Sequence, residues 1–116
     1  MQSASFPAAN SLHPLMKVLD ERGAVVILHP VKPDPVNEST FTGGPIFVYE
    51  YPAETTRAVL NMVAHNVMTR YPDIKVVVPH AGSFMPYAVP RLKGGPGILS
   101  ETMRLNYLKL KNSYGN

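Results

Sequence analysis

Two histidines stand at the ends of similar apolar runs. His29 follows Ala24-Val-Val-Ile-Leu28, and His80 follows Ile74-Lys-Val-Val-Val78 with Pro79 between. An imidazole can ligate a divalent metal or move a proton near neutral pH, and two of them at matching strand ends could converge on one ion or one bound water. The residues alone leave open a two-histidine site and a pair of hydrogen-bonded structural histidines. His13 and His65 fall within helical patterns and read as surface or packing residues. Asp34, Glu38 and Glu50 lie between the two runs. Glu50 precedes a helix, where a carboxylate favourable to the N-terminal dipole is the simpler role. None of these groups has the spacing of a short metal-binding motif.

The elements that must position His29 and His80 follow from the pattern around them. Leu12, Leu15, Met16 and Leu19 have helical spacing, with Ser11 as an expected cap and Gly23 as a stop, so a helix is predicted over about 12–22. The runs 24–28 and 74–78 are apolar and mostly β-branched, the pattern of strands in a parallel sheet covered on both faces. Residues 31–51 contain Pro33, Pro35, Gly43, Gly44 and Pro45 and read as a long loop. A helix over 52–70 carries Thr56, Val59, Leu60, Val63 and Val67 on one stripe, and Tyr71-Pro72-Asp73 ends it. Strand, loop, helix and strand make a βαβ unit, whose strands should be parallel. Ligands of parallel α/β folds gather at the carboxyl ends of the strands, where His29 and His80 both fall. A short helix over 84–92, a Gly-Gly-Pro-Gly break at 94–97 and a last amphipathic helix over about 98–111 complete the reading, with residues 1–10 as a flexible lead-in.

The composition bounds the function. The 116 residues suffice for one domain, and a complete (β/α)8 barrel needs about 250. The net charge of +3 is spread along the chain, with only a loose gathering at Lys93, Arg104, Lys109 and Lys111, so nucleic-acid binding is not expected. With no cysteine, a metal would be held by His and carboxylate, and the chain is expected to be cytoplasmic. No apolar run approaches bilayer-spanning length, and the N-terminus lacks the pattern of a secretory signal.

Four segments carry a resemblance to a known family: Leu19-Asp-Glu-Arg-Gly-Ala-Val-Val-Ile-Leu-His-Pro30, Glu54-Thr-Thr-Arg-Ala-Val-Leu60, Arg70-Tyr-Pro-Asp-Ile-Lys-Val-Val-Val-Pro-His-Ala-Gly82 and Pro86-Tyr-Ala-Val-Pro-Arg-Leu92. Over residues 11–92 the chain resembles the amidohydrolase-related family that includes aminocarboxymuconate-semialdehyde decarboxylase and the resorcylate and salicylate-type decarboxylases. The resemblance implies an α/β fold, an internal piece of a metal-dependent (β/α)8 TIM barrel with about two parallel strands. It places His29 as a metal ligand at the end of the fifth barrel strand. His80 becomes the acid/base group at the end of the sixth, and Arg91 reaches the substrate carboxylate of a neighbouring subunit. The implied cofactor is a divalent metal, zinc or manganese, which this chain alone is expected to bind weakly or not at all, and the implied substrate is a small aromatic or conjugated carboxylic acid.

The same family completes its site with a His-x-His pair and a late Asp, which have no counterpart in this sequence, so the chain by itself is expected to be inactive. Three positions depart from the family pattern: Pro79 before His80, Ser83 where a glycine is common, and Pro90 before Arg91. Ser83 is therefore a candidate for backbone strain at positive φ. A two-stranded sheet leaves edges and faces open, so a homo-oligomer is expected. The leading reading is a segment of a decarboxylase. The alternatives are a metal-dependent hydrolase and a non-catalytic, self-associating remnant.

Overall fold

The computed structural model describes residues 10–35, 39 and 43–93. Residues 1–9 of the expected 1–10 lead-in, Glu38, the Gly-Gly-Pro-Gly break and the helix expected over 98–111 lie outside the described residues.

A 3-10 turn, Asn10–Leu12, leads into α1, His13–Glu21. Ser11 sits inside that turn and Leu12 occupies the cap position without a side-chain bond, so Ser11 is not the cap that the sequence suggested. Pro14 is tolerated because first-turn N–H groups have no helical partner. Gly23, at φ +56, ends the helix in the left-handed region, with its N–H donating to the Asp20 carbonyl and the Ala24 N–H to that of Leu19. The chain then enters β1, Val25–Ile27.

The long connection closes on a second 3-10 turn, Ile46–Val48, and α2 runs over Glu50–Ala64. Its start is two residues earlier than Pro52, which again falls in the first turn. The single helix expected over 52–70 is broken. His65 caps α2, Asn66 adopts the left-handed conformation at φ 57, and a short α3, Val67–Arg70, continues the path. Asparagine tolerates that conformation better than most residues, which permits the break. The apolar stripe carries on across it, so periodicity gave no warning.

β2, Lys75–Val77, pairs with β1 in parallel, with Val25 opposite Lys75, Val26 opposite Val76 and Ile27 opposite Val77. The Leu28 N–H extends the ladder to the Val77 carbonyl, and the Lys75 N–H donates to that of Ala24. The Asp73 N–H donates to Asp20 Oδ1 at 2.8 Å, which ties the approach to β2 onto the end of α1. After β2 come a 3-10 turn at His80–Gly82 and α4, Met85–Lys93, with Pro90 inside it.

The core lies on one face of this sheet. Val59, Met62, Val63, Val67, Met68 and Val76 are almost fully buried there, joined by Met16 from α1 and Met85 from α4. The other face was expected to be covered as well. Among the described residues it is open: Val25 is 61% exposed, Ile27 66% and Val77 43%. Alternation along each strand sends residues 25, 27, 75 and 77 to that side, so a strip of apolar sheet faces outward.

Candidate active-site edge

Both histidines leave the same sheet edge. β1 and β2 are hydrogen-bonded neighbours, and His29 and His80 lie just beyond the paired residues Ile27 and Val77 at the carboxyl ends of the strands. Each is exposed. His29 Nδ1 donates to the Pro30 carbonyl at 2.8 Å, since a carbonyl only accepts. That fixes the tautomer and leaves the Nε2 lone pair to act as a ligand or acceptor, the arrangement common to metal-bound histidines.

His80 is held by an unusual backbone. His80, Ala81, Gly82 and Ser83 all have positive φ, at 55, 52, 81 and 58 degrees. Ser83, with ψ −133, occupies a region natural only to glycine, so the strain expected from its departure from the family pattern is present. The turn is closed by the Ser83 N–H, which donates to the His80 carbonyl at 2.8 Å, and by Ser83 Oγ, which donates to the Pro79 carbonyl at 3.2 Å.

Arg91 projects from α4 and is exposed. Glu50 is half-buried in the first turn of α2, and Asp34 is exposed in the loop. His13 and His65 serve local structure. The His13 ring meets the Tyr71 hydroxyl, which also accepts from Arg70, and His65 Nδ1 bonds the Asn61 carbonyl at 2.9 Å.

The structure adds Thr56, which sequence reasoning placed only in the packing stripe of α2. Its Oγ1 donates to the Pro52 carbonyl at 2.7 Å and accepts the Phe84 N–H at 3.0 Å, joining α2 to the residue just after the His80 turn. A hydroxyl at a stripe position otherwise filled by Val and Leu was the available signal.

Among the described residues, no group of three or more His, Cys, Asp or Glu side chains is placed to hold a metal ion. Catalytic zinc normally takes three protein ligands. The donors here do not form a complete metal centre; His29 fits as one member of a larger set.

The family model for amidohydrolases matches residues 1–105. The chain belongs to the amidohydrolase family. Among curated relatives, the chain is 32% identical over 97 residues to a 6-methylsalicylic acid decarboxylase of Penicillium expansum, covering 83% of this chain and 29% of the relative. It is 31% identical over 88 residues to a 2-amino-3-carboxymuconate-6-semialdehyde decarboxylase of Dictyostelium discoideum, covering 73% of this chain and 23% of the relative. The chain thus spans less than a third of the length of these proteins. Among solved structures, an amidohydrolase II superposes with a TM-score of 0.73 at 25% identity, over 90% of this chain and 32% of that one. A dihydroxybenzoic acid decarboxylase from Polaromonas sp. JS666, with bound manganese and 2-nitroresorcinol, superposes with a TM-score of 0.65 at 21% identity, over 78% of this chain and 29% of that one. The βαβ unit described above is therefore a piece of a larger amidohydrolase fold.

Proposed function

We propose that this chain is the segment of a metal-dependent decarboxylase of small aromatic or conjugated carboxylic acids that supplies one metal ligand, His29, and one acid/base group, His80. The observation that carries the reading is the placement of both imidazoles beyond the carboxyl ends of two paired parallel strands, with His29 Nδ1 already engaged by a carbonyl. In decarboxylation the bond between the ring carbon and the carboxylate breaks, its electron pair stays on carbon, and a proton must be delivered there as carbon dioxide leaves. His80 is the group in this segment that delivers it. Arg91, exposed on α4, is suited to bind a carboxylate, in this subunit's site or a neighbour's. The remaining ligands come from segments that this chain does not contain. Zinc or manganese suits a set of imidazole and carboxylate donors. The decarboxylase relatives favour this chemistry over the hydrolase alternative, which would use the same groups.

The open strip of Val25, Ile27 and Val77 supports self-association, and with it a second reading, a non-catalytic remnant that pairs with copies of itself. Measuring zinc and manganese bound by the purified chain, its H29A variant and its H80A variant separates the two. Bound metal that falls in H29A, with secondary structure unchanged, supports the decarboxylase segment. With one family ligand in the chain, uptake is weak and is measured at excess metal; uptake unchanged in H29A, with all three proteins equally folded, supports the remnant.

A further inference from the structure

The segment Glu54–Leu60 contributes to the family resemblance, yet none of the roles above falls on it. We propose that Thr56 in this segment is a positioning residue for His80, holding the turn that carries the imidazole through a hydrogen bond to the Phe84 N–H.

Three non-glycine residues at positive φ in four consecutive positions form a conformation that survives only where the surroundings over-determine it. Two of the restraints, both from Ser83, lie inside the turn and cannot orient it relative to the sheet. The Thr56 bond comes from outside. Thr56 is 8% exposed, and its hydroxyl proton is committed to the Pro52 carbonyl four residues back, so an oxygen lone pair is presented to Phe84. The Phe84 ring is held as well, against Tyr49 at a centroid distance of 5.5 Å. Phe84 is thus pinned to α2 by its N–H, at Thr56, and to the cap of that helix by its ring, at Tyr49. Because α2 packs on the buried face of the sheet, that anchor sets where the His80 turn leaves β2. The bland alternative is that Thr56 is a β-branched packing residue whose methyl fills the stripe beside Val59.

The two roles predict opposite patterns in variants. T56V keeps the branched shape and removes the hydroxyl; T56S keeps the hydroxyl and removes the methyl. In the isotope-labelled full chain, the His80 ring carbon and proton resonances and the Phe84 amide exchange rate report the turn directly. In T56V the His80 ring signals are expected to move and Phe84 exchange to accelerate by about tenfold or more as its local protection is lost, while His13 and His65 signals stay in place. T56S is expected to retain the wild-type values. If T56V does not fold, T56S and T56A, which both lack the methyl and differ only in the hydroxyl, give the same comparison. Wild-type His80 and Phe84 behaviour in T56V, or equal displacement in T56S and T56A, overturns the proposal. The functional meaning rests on His80 as the acid/base group, but these signals report its placement whether or not that reading holds, and metal or substrate measurements test the reading separately.

Discussion

Replacing Ser83 isolates the strain stored beneath His80. At φ 58 and ψ −133 a Cβ is unwelcome, and a residue held in such a region costs about 1–3 kcal/mol. S83G and S83A both lose the hydroxyl bond to the Pro79 carbonyl, which at 3.2 Å contributes about 0.5–1 kcal/mol. They differ in the Cβ alone. Glycine relieves the strain but admits a more disordered unfolded state, which offsets about 0.4–1 kcal/mol of the gain. S83G should therefore be more stable than S83A by about 1–1.5 kcal/mol, with wild type between them or close to S83G. Unfolding entropy of about 2.1 cal/mol/K per residue, over 116 residues, converts this into a Tm difference of about 5 °C. Thermal and urea unfolding followed by far-ultraviolet circular dichroism measure it. An S83A protein as stable as S83G would refute the reasoning, because Ser83 would then not be strained in the folded protein.

Two further outcomes follow from the packing. M62A, at a side chain 1% exposed in the last turn of α2, should lower stability by about 2–5 kcal/mol in a guanidinium titration through lost burial and the cavity left behind. I27K, on the open sheet face at 66% exposure, should leave stability within about 0.5 kcal/mol of wild type while shifting self-association toward smaller species in light scattering. A wild-type protein that remains monomeric at high concentration would contradict the self-association proposal.

The parts legible in the sequence were those fixed by local pattern. The two β-branched runs became paired parallel strands, Gly23 became the left-handed stop of α1, and the stripe from Thr56 to Val67 became the buried face. The break at His65 and Asn66 was hidden because the apolar spacing continues through it, and only the left-handed Asn66 interrupts the helix. Coverage of the sheet was misjudged for a different reason. Apolar residues on both faces record what a strand packs against in its complete fold, and the described residues supply one of those layers. The strand ends and the resemblance singled out His29 and His80, which both lie at the carboxyl edge of the sheet, and the family's glycine pointed to the strain at Ser83. The Thr56 to Phe84 bond spans 28 residues and depends on how α2 meets the turn, which no local pattern encodes. Likewise the tautomer of His29 follows from a carbonyl position that appears only once the backbone is folded.

The most direct test of His29 and His80 as neighbours at one metal edge uses manganese as a paramagnetic probe, with the four histidines as each other's controls. Titrating Mn2+ into the isotope-labelled chain should broaden the ring signals of His29 and His80 first, leave those of His13 and His65 sharp at the same concentration, and lose its selectivity in H29A. Equal broadening of all four rings, or sharp His29 and His80 signals when His13 or His65 is already broadened, would contradict the assignment.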